Sequence, residues 1–208
     1  KKLWKWYSEK AAVTIAVSEF LLDSLKKNGI GIKHLVIPNV VEGELIQTKR
    51  EDGEIRILNV SDMVDEVKNI SGLLLAFSAL VKEFPKTKLY LVGDGEDLGN
   101  LKVFVQQLGL HEHVIFYGRL SNDQVLKIYN EVDFTVVNSR VETFSVVAAE
   151  SLMAGKPVVS TRNGGVQEFL TKDQGILIPI NNEDKLHEAL KLMRENYADF
   201  DPKALSEY

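Results

Sequence analysis

The sequence predicts an α/β protein, a doubly wound Rossmann-like parallel sheet with helices on both faces. Three observations carry this expectation. Short apolar runs rich in Val, Ile and Leu alternate with amphipathic stretches along almost the whole chain of 208 residues. Those stretches place apolar residues at helical spacing, so each run–stretch–run unit reads as a βαβ crossover. The runs are short and β-branched, as strands are when both faces of their sheet are covered. In such a fold, ligands bind beyond the carboxyl ends of the strands.

Taken in order, residues 13–17 (VTIAV) form a first β-branched run, followed by an amphipathic stretch at 19–27 and a short run at 35–37. A single strand cannot stand alone, so residues 1–28 read as the tail of a preceding domain or as an added edge element. The polar stretch 42–54 (EGELIQTKREDGE) reads as a linker or surface loop. Within a main domain at 29–208, strands are expected at 55–60, 88–92, 114–117, 134–137, 157–160 and 176–178. Helices are expected between them at 70–83, 96–108, 122–131 and 145–154, and after the last strand at 183–196. The helix at 70–83 is the clearest: Ile70, Leu73, Leu74, Phe77, Val81 and Phe84 share one face. Residues 201–208 begin another helix, and the chain reads as a piece of a longer protein.

Composition excludes several functions. With 25 Lys and Arg against 30 Asp and Glu, the net charge of −5 argues against nucleic-acid binding. There is no cysteine, hence no disulfide framework or thiolate site, which fits a reducing cytoplasm. No apolar run approaches the roughly 20 residues that span a bilayer. His34, His111, His113 and His187 are scattered without metal-ligand spacing, and no G-x-S-x-G elbow or P-loop occurs. Trp4, Trp6 and Tyr7, near several lysines, read either as a membrane contact or, preferably, as packing against a neighbouring domain.

The most informative segment is 139–156 (SRVETFSVVAAESLMAGK). It puts Glu142 in a strand-to-helix turn and Glu150 on the following helix, inside an apolar stripe of Val146, Ala149 and Met153. A carboxylate among methyl groups needs a hydrogen-bonding partner, either a neighbouring cation or a hydroxyl-rich ligand, and the ligand is the better reading. Thr143, Phe144, Ser145 and Val146 would turn main-chain N–H groups toward an anion at the helix start. Lys68 stands just before the helix at 70–83, with Asn69 as its cap. A cation there opposes the helix dipole, which reads either as a solvated lysine or as the partner of a bound anion. Gly164-Gly165 allows a sharp turn or a close backbone approach. Gly93-Asp94-Gly95 reads as a tight turn, because its third glycine, Gly99, comes one position too late for a dinucleotide fingerprint.

Together these residues resemble a family. Ala16-Val17-Ser18, Ile37-Pro38-Asn39-Val40, Lys68-Asn69-Ile70, Leu91-Val92-Gly93-Asp94-Gly95 and Phe116-Tyr117-Gly118-Arg119 come in its order and spacing. The Glu142/Glu150 pair, 154–159 (AGKPVV) and 164–168 (GGVQE) complete the match. The pattern resembles the C-terminal, donor-binding domain of GT-B glycosyltransferases of family 4, the retaining glycosyl transferases group 1. The resemblance implies transfer of a sugar from a nucleotide-diphosphate-sugar donor to an acceptor, without a catalytic metal or cofactor. Glu150 would hold the ribose hydroxyls, Glu142 the donor sugar, and the amides of 144–146 the phosphates. Lys68 would stabilise the departing diphosphate, and the segment around Gly118 and Arg119 would lie along the base through backbone contacts. The acceptor site, and any peripheral membrane contact, would belong to parts of the full-length protein outside this piece, which alone would bind donor without turnover.

Two departures stand out. The resemblance expects an arginine where this chain has Ser61-Asp62, and Thr143 and Ser145 replace common glycines as tolerated variants. Asp62 favours one rival, a non-catalytic nucleotide-sugar-binding domain. An epimerase-like GT-B enzyme and an NAD-dependent Rossmann enzyme are the others.

Overall fold

The computed structural model describes residues 6, 8, 10–31, 33–41, 45 and 52–207. Trp4, Tyr7 and most of the stretch at 42–54 lie outside them; Trp6 is half exposed, with the Lys10 ammonium 4.0 Å from its ring centre.

A six-stranded parallel sheet forms the centre. Its strands are β3 (Ile55–Val60), β4 (Thr87–Val92), β5 (Val114–Gly118), β6 (Phe134–Val137), β7 (Val158–Thr161) and β8 (Gly175–Ile178), in spatial order β5-β4-β3-β6-β7-β8. The helices are α1 (Glu19–Lys27), α2 (Asp65–Lys68), α3 (Ile70–Glu83), α4 (Leu98–Gln107), α5 (Asn122–Tyr129), α6 (Val146–Met153), α7 (Glu183–Asn196) and α8 (Pro202–Ser206). This is the doubly wound architecture expected, and chain order reverses direction across the sheet between β3 and β6. Crevices form at such reversals.

Both faces of the sheet are buried because alternate residues of each strand point to opposite sides. Ile57, Leu89, Leu91 and Val136 pack with Leu73, Phe77 and Leu80 of α3 and Leu190 and Met193 of α7. Leu58, Tyr90 and Val92 face the other way, against Val125, Ile128 and Tyr129 of α5. A third cluster joins Val137 and Val158 to Ala148 and Leu152 of α6 and to Leu205 of α8. The register pairs Ile55 with Thr87 and Val60 with Val92. Strands β3 and β4 therefore end side by side, and their outgoing loops meet.

The N-terminal residues make a separate two-stranded parallel sheet from β1 (Thr14–Ala16) and β2 (His34–Val36). The division expected after residue 28 thus runs between two paired strands. Helix α1 docks on the main domain through its first turn. The Ser18 hydroxyl accepts from Leu21 N–H at 3.1 Å and donates to the Thr143 carbonyl. The Glu168 carboxylate, from the 3-10 turn Gly165–Glu168, accepts from Glu19 N–H at 3.0 Å and Phe20 N–H at 2.7 Å.

Gly93 and Gly95 are a tight turn, as expected, and the reason is close packing. A Cβ on Gly93 would lie 1.9 Å from the Ser61 carbonyl oxygen, and one on Gly95 2.6 Å from that of Met63. Gly93→Ala, at a φ of 136°, should lower unfolding free energy by about 2 kcal/mol or more. Gly99→Ala, with open space around it and a helical position, should be neutral or stabilising by up to about 1 kcal/mol. Denaturant midpoints of the two variants check the contrast.

Candidate functional site

The ends of β3, β4 and β6 contribute Val60, Val92 and Val137 to the floor of a cleft of about 380 Å³. Its walls come from the loops that follow those strands, together with Asn39 from the segment after β2. The loop after β3 brings Ser61, Asp62 and Lys68; the loop after β6 brings Glu142 and Thr143 through Val147. Arg119 and Leu120 close a third side.

Lys68 and Glu142 meet directly. The ammonium lies 2.7 Å from Glu142 Oε1, and Ser139 Oγ donates to the same oxygen at 2.7 Å. Both side chains are about four-fifths buried, so water screens the pair weakly. This corrects the dipole argument made for Lys68. The lysine ends α2, a single turn absent from the sequence reading, where a cation is favourable. Its charge is already balanced by Glu142, so no bound anion is required to explain it. Asn69 is also not a side-chain cap. It sits in the left-handed region at φ 50° and its amide oxygen accepts from Arg140 at 2.7 Å. Asp65 instead accepts from Ser71 N–H and hydroxyl at 2.7 and 2.6 Å.

Arg140 is the residue that sequence reasoning missed. Its guanidinium donates to the Asp65 and Glu66 carbonyls at 2.6 and 2.8 Å and to Asn181 Oδ1 at 2.7 Å, while its own N–H bonds the Val67 carbonyl at 2.8 Å. One side chain thus pins the helix carrying Lys68 to the loop carrying Glu142. The signal was an arginine two places before Glu142, but its partners lie 74 and 75 positions back. No local pattern encodes such a pairing.

Phe144, Ser145 and Val146, at the start of α6, line the cleft. Phe144 is buried, its ring 5.2 Å from that of Phe169, and it anchors the turn from below. Ser145 adopts φ 77°, ψ 75°, a conformation that disfavours an L residue. The serine at this position is therefore accommodated with strain. Gly164 and Gly165 press against the turn from behind: Gly165 N–H donates to the Glu142 carbonyl at 3.1 Å, and a Cβ on Gly165 would lie 2.2 Å from the Thr143 oxygen. The close approach foreseen for this glycine pair is made to protein backbone.

Helix α6 is rotated relative to the expected stripe. Ala148, Ala149, Ser151 and Leu152 form its buried face, whereas Val146 is 40% exposed on the cleft wall. Small side chains let the helix sit close to β6, where Ser151 Oγ donates to Thr135 Oγ1 at 2.7 Å. Glu150 is half-buried one turn beyond Val146 and is outside the cleft lining. Its carboxylate makes no ion pair or hydrogen bond with a described residue, and burial pushes it above the ordinary carboxylate range. The fully buried Tyr129 phenol is raised first by burial and then by the Glu150 charge.

Gly118, at φ 68°, lies behind the lining and accepts from Gly93 N–H at 2.8 Å. Arg119 is exposed on the cleft and forms no ion pair with a described residue. Among the described residues, the lining charges are Lys68 and Arg119 against Asp62, Asp94 and Glu142. Among the described residues, no group of three or more His, Cys, Asp or Glu is placed to hold a metal ion. Nor is any helix there long and apolar enough to cross a membrane.

Comparison with known proteins gives this arrangement a lineage. The chain is 33% identical over 164 residues to the alpha-monoglucosyldiacylglycerol synthase of Streptococcus pneumoniae, covering 72% of this chain and 37% of that protein. It is 28% identical over 158 residues to N-acetyl-alpha-D-glucosaminyl L-malate synthase of Bacillus anthracis, 73% of this chain and 40% of that one. The chain thus spans well under half the length of these relatives. Among solved structures, TarM superposes with a TM-score of 0.84 at 20% identity, covering all of this chain and 42% of that one. HepE of Anabaena in complex with UDP and glucose gives 0.81 at 21% identity, covering 94% and 58%. The fold is that of a GT-B half-domain. Because the model for "Glycosyl transferases group 1" matches residues 42–208, the chain belongs to that glycosyltransferase family.

Proposed function

We propose that the cleft holds a nucleotide-diphosphate-sugar, and that the protein carrying this chain transfers the sugar to an acceptor with retention at the anomeric carbon, as in family 4. The observation that carries the reading is the convergence of Lys68, Glu142 and the N-terminus of α6 on one crevice at the reversal of the sheet. The UDP held by the structural relative HepE supports it. Residues 29–208 then act as the C-terminal donor-binding domain and 1–28 as the tail of an acceptor domain. The acceptor site comes from residues beyond these 208, so this stretch binds donor without turnover. The full protein works in the cytoplasm.

In this reading the amides of Phe144, Ser145 and Val146 receive the diphosphate. Lys68 then exchanges Glu142 for phosphate oxygen, which frees Glu142 to hydrogen-bond the donor sugar. Transition-state charge collects on the leaving diphosphate, and preorganised donors at a helix N-terminus beside a fixed cation stabilise it without a divalent ion. Arg119 and Gly118 border the base, and Glu150, whose carboxylate has no partner among the described residues, takes the ribose hydroxyls. A second reading, donor binding without catalysis, is favoured by Asp62, whose carboxylate lines the same cleft and opposes a polyanion.

A thermal-shift panel of UDP-, GDP- and ADP-sugars tests donor binding, since ligand at 100 times its dissociation constant adds about 2.7 kcal/mol of stability. No shift with any of them removes both readings; a shift without transfer by the full-length protein selects the second. Lys68→Ala should weaken nucleoside diphosphate more than nucleoside in calorimetry, and equal losses would remove its phosphate role. Glu150→Ala should weaken nucleotide by at least about 1 kcal/mol, the scale of a lost charged hydrogen bond. Glu150 also has a pH signature without ligand. Its folded carboxyl binds a proton more tightly than the unfolded one, so its contribution to stability falls as pH rises from about 4.5 through the raised value. Glu150→Gln should therefore raise the melting temperature at pH 8, with the gain shrinking toward pH 4.

A further inference from the structure

We propose that the Ser145 hydroxyl is itself a phosphate ligand, donating to a non-bridging oxygen of the bound diphosphate. The inference rests on the donor-site reading above and adds a side-chain group specific to this chain. Three described residues other than glycine have positive φ: Asn69, Ser145 and Asn181. Asparagine enters the left-handed region readily, serine less so. Ser145 is only 6% exposed, yet its hydroxyl caps no amide of α6 and bonds no described residue. The hydroxyl therefore keeps donor and acceptor capacity that no described residue uses.

The hydroxyl is nevertheless open to the cleft. Asn163 Oδ1 is an unpartnered polar atom sealed from solvent; the Ser145 oxygen is not sealed, and Ser145 lines the cleft wall. The first intrahelical bond of α6 runs from Ala149 N–H to the Ser145 carbonyl, at 3.3 Å. The N–H groups of Val146 to Ala148 therefore have no acceptor within the helix. A hydroxyl and several amides without an intrahelical acceptor, gathered at the start of an eight-residue helix, form a cluster of donors. The ligand that satisfies such a cluster is an oxyanion bearing several acceptor oxygens, which is phosphate chemistry.

Two substitutions in the full chain test this, with UDP, uridine and pyrophosphate as probes. Ser145→Ala removes the hydroxyl and keeps the backbone strain; Ser145→Gly removes both. Both variants should bind UDP and pyrophosphate about tenfold more weakly than the parent, with uridine affinity unchanged. Ser145→Gly should melt no lower than the parent, so loss of affinity is separated from loss of fold. Affinities within twofold of the parent for both variants would overturn the proposal, as would a loss in Ser145→Ala that Ser145→Gly restores. Parent protein that binds pyrophosphate in a hydroxyl-dependent way but no nucleotide would sustain the phosphate ligand and discard the donor reading. Parent protein that binds neither discards both.

Discussion

The ion pair between Lys68 and Glu142 joins the two halves of the sheet, and the shape of the cleft depends on it. Lys68 leaves the β3 side and Glu142 the β6 side of the reversal in strand order. Ser139 adds a hydrogen bond to the same carboxylate oxygen, and Arg140 fixes the backbone on both sides of the contact. Removing one partner would leave a largely buried charge, a larger penalty than the pair itself is worth. The two loops are therefore held at a set separation before any ligand arrives, which reduces the ordering that binding must supply.

The same pair sets the electrostatics of the cleft. With Lys68 neutralised by Glu142, the remaining lining charges among the described residues are Arg119, Asp62 and Asp94. The diphosphate we propose here would be attracted mainly by helix amides and by whichever cation gives up its partner. Where the family resemblance expects an arginine, at Ser61-Asp62, the cleft instead has the start of α6, an exposed Arg119, and a lysine kept in position by a carboxylate. Glu150 follows a different logic. Its burial is costly without a partner among the described residues, and the hydroxyls of the proposed ligand would relieve that cost.

The fold was largely legible in the sequence because burial on both faces leaves continuous apolar runs, and crossover helices leave a clean period. Strands β3 and β6 and helices α1, α3 and α7 have the bounds expected from the pattern. The pairing of Lys68 with Glu142 was not legible, since it joins residues 74 positions apart and each had been given a ligand of its own. Helix α2 was missed because one turn is too short to show a period, and without it Lys68 was put at the wrong end of a helix. The stripe on α6 was rotated because alanine and serine, not the bulkier valine and methionine, allow its approach to β6. The role of Arg140 is invisible locally, since carbonyl acceptors have no side-chain identity.

The docking of α1 has a mechanical consequence. Ser18 grips the carbonyl of Thr143, Glu168 grips the opening amides of α1, and Gly164 leaves no room beneath Phe20. The turn that ends in Ser145 is thereby tethered to a helix built from the opposite end of the chain. Any swing of that helix must drag the turn along or break three hydrogen bonds at once, so rearrangement upstream and grip at the crevice are levers on a common fulcrum.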